Sequence, residues 1–277
     1  MTNSTGNTDF TIALVGAGNM GGAMLSGWLK GGTPAASITV LDPSPPPAMA
    51  QMMAEHGVAS FVAAPEGFDP DIVILAVKPQ IFDQVLAANV GICGPQTVVV
   101  SVAAGKTIST MASILGSNAG AIVRCMPNTP ALVGRGISAC CANKQVTDLQ
   151  RARISQLLRS TGSVEWVDDE ALIDAVTAVS GSGPAYVFYL AECMAAAGMA
   201  QGLPEELAMK LARETVSGAG ELMRQSVETA SKLRQNVTSP NGTTAAALAV
   251  LMADNGLSPL MAEAIAAARK RSEELSG

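Results

Sequence analysis

A short apolar run, FTIALV over residues 10–15, passes directly into Gly16-Ala17-Gly18-Asn19-Met20-Gly21 and then into a stretch of helical spacing that ends near Lys30. No other feature restricts the fold as strongly. In such a strand, turn and helix, the first glycine makes the tight turn, the second lets a backbone approach a pyrophosphate, and the third lets helix and strand pack closely. A second apolar run over residues 38–41 delivers Asp42, about 20 residues on, where an acid accepts from an adenosine ribose.

Val/Ile-rich runs recur over residues 71–77, 97–102 and 121–125 with helical stretches between them. Near-continuous apolar strands of this kind are parallel and covered on both faces. Their ends, Lys78-Pro79-Gln80, Ala103-Ala104-Gly105 and Met126-Pro127-Asn128-Thr129-Pro130, fall at the carboxyl edge of the sheet, where ligands of open α/β sheets bind. The small residues at 103–105 leave room for a flat nicotinamide. Short strands over 136–141 and 164–167, with a helix over 148–159, complete the sheet. Beyond residue 168 the pattern is helical, with helices expected over 169–179, 184–199, 204–225, 244–255 and 258–275. Pro184 and Pro204 stand at first-turn positions. The expected fold class is α/β: a Rossmann-type dinucleotide-binding domain over 1–167, then an all-α substrate-binding and dimerisation domain over 168–277.

The dimer follows from residues 185–200, AYVFYLAECMAAAGMA, which are apolar on every side except at Glu192. A helix apolar all round must be buried all round, and a small helical domain offers too few neighbours. A second copy of the chain supplies them. The net charge of −6 with scattered Lys and Arg disfavours nucleic acid and anionic membrane as partners. The first ten residues are polar, no signal peptide is expected, and no apolar run reaches membrane-spanning length, which points to the cytoplasm. Five cysteines without CxxC spacing and the single His56, read as a solvated helix C-terminal residue, give no metal site.

The turn within LRQNVTSPNGTTAAALAVLMAD, residues 233–254, is the second informative feature. Pro240 has no amide hydrogen to donate, Asn241-Gly242 is a turn dipeptide, and Thr243 or Thr244 falls at the N-cap of the next helix. The first amides of that helix and the hydroxyls of Ser239, Thr243 and Thr244 would then converge on one small volume, where the helix dipole favours an anion such as a carboxylate. The same residues also read as a plain helix cap. Cofactor choice stays open as well: Asp42 suits a ribose 2′-hydroxyl, and PSPPP after it holds no Arg or Lys, yet Ser44 can donate to a 2′-phosphate, so NADH and NADPH both remain.

Four motifs together resemble pyrroline-5-carboxylate reductases over nearly the whole chain: VGAGNMG at 15–21, AVKP at 76–79 with RCMPNTP at 124–130, DAVTAVSGSGPAY at 174–186, and NVTSPNGTT at 236–244. The resemblance implies NAD(P)H-dependent reduction of a five-membered cyclic imine carboxylate to L-proline. It implies cofactor contacts from Val15, Gly16, Ala17, Gly18, Asn19 and Met20, from the AVKP turn (Ala76, Val77, Lys78, Pro79), and from Ala104 and Asn236. Ser239, Gly242, Thr243 and Thr244 would hold the substrate carboxylate and ring nitrogen, with Glu170 a further substrate-side residue. Interlocked helical domains, in a dimer or a larger assembly such as a decamer, are also implied. One departure is AAPEG near Ala64, where many relatives place an Asn on the adenine side.

The chemistry asks little of the protein, because an imine nitrogen is basic enough to take a proton cheaply and positioning can suffice. Thr244 is assigned to hydrogen-bond the ring nitrogen. A rival with the same layout, a 3-hydroxyacid dehydrogenase, needs a Lys or His acid for its developing alkoxide. No Lys or His occurs between Lys144 and Lys210, and the helix entering the second domain offers only Tyr186, Tyr189 and Glu192. A third reading, an NAD(H)-sensing module without turnover, would keep the glycine motif and lose SPNGTT, which is intact. Lys78 is read as part of a structural turn facing the cofactor. Ser180-Gly181-Ser182-Gly183 reads as either a pocket wall or a loop leading into a helix.

Overall fold

The strands form because β-branched and aliphatic residues alternate between two buried layers. In the computed structural model, which describes residues 9–276, β1 (Ile12–Val15) sends Ile12 and Leu14 into one core and Ala13 and Val15 into the other. The strand β4 (Ile72–Leu75) divides in the same way, with Ile72 and Ile74 on one face and Val73 and Leu75 on the other. The sheet is therefore covered on both sides. Most of the stretch read for a signal peptide lies outside the described residues.

The remaining strands are β2 (Ile38–Leu41), β3 (Ala59–Phe61), β5 (Val98–Ser101), β6 (Ala121–Met126), β7 (Gly136–Ala142) and β8 (Gly162–Trp166). They form one sheet in the order β3-β2-β1-β4-β5-β6-β7-β8, parallel throughout except that β7 runs antiparallel to β6. On one face lie α1 (Asn19–Lys30), α2 (Pro47–His56) and α5 (Asp148–Arg159), whose Trp28, Met53 and Leu157 enter the first core. On the other lie α3 (Phe82–Ala88) and α4 (Ile108–Leu115), through Phe82, Leu86, Met111 and Leu115. The edge strand β3 escapes the sequence pattern because all three of its side chains are exposed.

Two compact units divide the chain. The first holds residues 9–181 with 269–276, and the second is Ser182–Ala268. The first thus runs past residue 167, and charge explains why. After α6 (Leu172–Val176), Asp174 turns inward to Arg124 of β6 (3.1 Å), a residue only 3% exposed. Ser272 and Ser276 donate to the same Asp174 oxygen at 2.7 and 3.2 Å, which ties the end of the last helix to this unit. A buried charge pair of this kind persists only when its remaining hydrogen-bonding capacity is met.

The helix expected over 169–179 is broken. After α6 the chain makes a π-helical turn, Thr177–Gly181, and passes without a loop into α7 (Gly183–Ala200). The Thr177 and Ser180 hydroxyls, which donate to the carbonyls of Ile173 and Val176, hold the widened turn. Ser180 to Gly183 are therefore not a loop leading into a helix. The second unit continues with α8 (Glu205–Gln225), α9 (Ala230–Asn236), α10 (Thr243–Leu251) and the first part of α11 (Leu257–Ser276). Pro204 is the N-cap of α8 rather than a residue of its first turn. Among the described residues no helix is long and apolar enough to cross a membrane.

Candidate active site

Strand register builds a candidate dinucleotide site in the sheet unit. Val15 pairs with Leu41 on one side and Leu75 on the other, so the turns after β1, β2 and β4 leave the sheet at one level. Sequence order reverses at β1, and the turns after β1 and β4 diverge there, which is where an open α/β sheet offers a crevice. Gly16 sits at φ +92, and a β-carbon there would meet Ala76 O at 2.9 Å. A β-carbon on Gly21 would collide with the Gly16 carbonyl oxygen. At Gly18 nothing of the protein lies within 4 Å of the missing side chain. That open space beside the N-terminus of α1 fits an approaching pyrophosphate, and no side chain caps the helix there.

Asn19 and Met20 open α1, and Ala17 is buried. The Ala17 amide donates to Asp42 Oδ2 at 2.7 Å and the Ser44 amide to Asp42 Oδ1 at 2.8 Å. Asp42 therefore holds the glycine turn itself, a role the sequence did not reveal. The hydroxyl of Ser44 is exposed. Ala76 and Val77 are half-buried beside Gly16, and Lys78 is exposed as the cap of a single 3₁₀ turn begun by Pro79. Ala103 is buried and Ala104 half-buried. Lys106 pins this turn to α3 by bonding Asp83 at 2.7 Å.

A second candidate feature lies in the helical unit. Gly242 N donates to Ser239 O at 3.1 Å, and Asn241 at φ +58 is the one described residue other than glycine with positive φ. Pro followed by a positive φ is the signature of a type II turn. Helix α10 begins at Thr243 with Gly242 as N-cap and no side-chain cap. The expectation that Thr243 or Thr244 is the N-cap is thus corrected: the turn closes one residue earlier, because the extended Gly242 (ψ 174) already supplies the cap conformation. Among the described residues, the hydroxyls of Ser239, Thr243 and Thr244 make no hydrogen bond, and the first turn of α10 is uncapped. Such a helix start is electrostatically suited to a carboxylate. Asn236 is the exposed last residue of α9 in the same unit.

Glu170 has partners the sequence did not suggest. Its Oε1 accepts from Ile108 N at 2.8 Å and faces Arg124 at 3.4 Å, joining α4 to β6. Arg124, Asp174 and Asn128 are the positioning residues the sequence reading missed. Asn128 donates to Ser180 O at 3.2 Å and accepts from Ile137 N at 2.9 Å, fixing the π turn against β7. The signal was present as one Arg in the apolar strand AIVRCM and one Asp in the apolar helix LIDAV.

Three thiols of the sheet unit are held protonated. Burial pushes Cys93 up to about 11. The Cys125 hydrogen bond and burial raise Cys140, and burial, then the nearby Glu170, raise Cys141. On α7 the Tyr189 hydroxyl is held above its ordinary value by its hydrogen bond with Cys193, so it stays protonated.

Residues 170–275 match the family model described as pyrroline-5-carboxylate reductase dimerisation, and residues 11–105 match one described as NADP oxidoreductase coenzyme F420-dependent. A pyrroline-5-carboxylate reductase from Pseudomonas aeruginosa is 42% identical over 96% of this chain and 96% of its own length. The structure of a pyrroline-5-carboxylate reductase from Coxiella burnetii is 35% identical with a TM-score of 0.90, covering 97% of this chain and 99% of that one. That of the Plasmodium falciparum enzyme, with NADP bound, is 28% identical with a TM-score of 0.82, covering 98% and 100%. At this identity over nearly its whole length, and with its helical residues matching the dimerisation model, the chain belongs to the pyrroline-5-carboxylate reductase family.

Proposed function

We propose that this chain reduces the C=N bond of 1-pyrroline-5-carboxylate to give L-proline, with NADPH or NADH as hydride donor, as the last step of proline synthesis in the cytoplasm. The observation that carries the reading is the uncapped start of α10 with three unpartnered hydroxyls around it, in a chain of this family. When bound, the dihydronicotinamide supplies the hydride. The open space at Gly18 and the amides of Asn19 and Met20 receive the pyrophosphate, with Val15, Gly16 and Ala17 shaping the turn. Asp42 and Ser44 meet the adenosine ribose. Ala76, Val77, Lys78, Pro79, Ala104 and Asn236 are the further cofactor contacts that the family resemblance implies.

On the substrate side, the amides at Gly242, Thr243 and Thr244 with the Ser239 hydroxyl hold the carboxylate. Thr244 hydrogen-bonds the ring nitrogen and so fixes which face of the imine is presented. Glu170 joins through the carboxylate oxygen that neither Ile108 nor Arg124 engages. The nitrogen takes its proton from solvent at little cost, so orientation does most of the work. The helix α7 carries no Lys or His to protonate an alkoxide, which leaves ketone reduction without its acid. In assembly terms, residues 1–167 act as the cofactor domain and 168–277 as the substrate and dimerisation domain. A homodimer is the functional unit, and association into a decamer is the further step that light scattering reads.

Oxidation of NADH or NADPH with the imine, followed by absorbance, tests the reading; no oxidation with either would overturn it. Thr244→Ala should lower kcat about 10- to 100-fold, the worth of a hydrogen bond to a charged group. It should leave thermal stability unchanged, because the hydroxyl is not a helix cap. Full activity in that variant removes Thr244 from the mechanism.

A further inference from the structure

We propose that Asp42 makes this enzyme prefer NADH over NADPH, and that it does so with a carboxylate already fixed by the glycine turn. The inference rests on the dinucleotide site proposed above. Three observations at the end of β2 converge on it.

The first is lone-pair accounting. A carboxylate offers about four acceptor positions. Two are taken, one on each oxygen, by Ala17 N at 2.7 Å and Ser44 N at 2.8 Å. The remaining position on each oxygen suits a vicinal diol that donates twice, which is what an unmodified adenosine ribose presents. A 2′-phosphate brings acceptors and negative charge and has nothing to donate. Because both oxygens are tied to backbone, the carboxylate cannot swing away to admit it without releasing the turn that holds the pyrophosphate.

The second observation is the lack of a compensating cation. Between Lys30 and Lys78 the chain contains no Lys or Arg, and this interval covers the turn after β2, all of α2 and the turn after β3. Lys30 is the last residue of α1, a helix that starts at the carboxyl edge of the sheet and therefore ends at the opposite one. The one histidine, His56, ends α2 in the same way, away from the helix start beside Ser44.

The third is an adenine platform on the same strand edge. Asp42 N donates to Phe61 O at 3.0 Å, so the end of β3 lies beside it. There Phe61 is 44% exposed and Val62 is 73% exposed. An exposed apolar side chain at the strand end next to a ribose acceptor suits the face of a purine. The affinity of the adenosine end therefore comes from apolar contact and the diol, with no share drawn from a phosphate.

The test is direct binding of NADH and of NADPH to the wild-type enzyme without imine, followed by kcat/KM for each with imine saturating. At least a tenfold preference for NADH is expected in both measurements, and it should shrink as salt screens the repulsion. Equal or tighter binding of NADPH overturns the proposal. If neither cofactor is oxidised but NADH binds preferentially, the proposed reaction fails and the assignment of Asp42 stands. Asp42→Asn should narrow the preference about tenfold. A merely structural role would weaken both cofactors alike and leave the ratio unmoved, which would also overturn the proposal. In Ser44→Arg, which keeps the backbone amide that bonds Asp42, NADPH should gain at least tenfold. No gain there would mean that the 2′-position lies elsewhere.

Discussion

The sheet unit and the helical unit solve the burial problem in opposite ways. In the first, whole strands and the large side chains Trp28, Phe82, Met24 and Met111 are fully buried. In Ser182–Ala268 the buried side chains, among the described residues, are Ala195, Ala208 and Ala212. Its large apolar residues face outward, with Phe188 64% and Tyr189 66% exposed on α7. Each such side chain gains roughly 1.5–3 kcal/mol when fully buried, so the helical unit of one chain forgoes most of its stabilisation until a second copy covers it. The lesson is that one chain can hold a finished domain and half of another.

The strongest way to break this contrast is Phe188→Glu. It should convert the dimer to monomer in light scattering at micromolar concentration and abolish turnover, while the sheet unit still binds NADH. A dimer that persists unchanged would place the interface elsewhere. Next in size is Arg124→Met. Removing one member of a buried pair costs about 3–5 kcal/mol, so the melting temperature should fall sharply with dimerisation intact; an unchanged melting temperature would deny the pair its role.

The smallest effect concerns how dry the sheet core is. Burial raises Cys93 from 9.0 to about 11, so the folded state keeps its proton where the unfolded state loses it. The unfolded chain then binds fewer protons, and stability should fall as pH rises from about 9 to about 11. Cys93→Ala should flatten part of that fall in alkaline melting curves. An identical slope in the variant would mean that the thiol is not desolvated.

The sheet unit was legible because its order is local. Val15 to Gly21, the β-branched runs and Asp42 each state their role within a few residues, and α5 fell on residues 148–159 as expected. The strand β3 was not legible, since an edge strand with exposed side chains has no buried face to impose alternation. Nor was the break in the helix after Val176, because a π turn depends on Asn128 gripping Ser180 from another element. In the candidate site, the SPNGTT turn announced itself, yet its cap was misplaced by a residue. The second employment of Asp42 and the partners of Glu170 depend on distant backbone amides, which leave no mark in local sequence.

The anchoring of Asp174 has a consequence for how the protein comes into being. The hydroxyl that completes its shell, on Ser272, is 98 residues further along the chain. A domain emerging from the ribosome ordinarily folds as soon as its own residues are out. Here the sheet can assemble early, but Arg124 and Asp174 must wait, incompletely bonded, until the helical unit has also been synthesised. The last turns of α11 thus act as a clasp that closes only after residues 182–268 have been made, so the sheet unit is complete only when the dimerisation helices are already present.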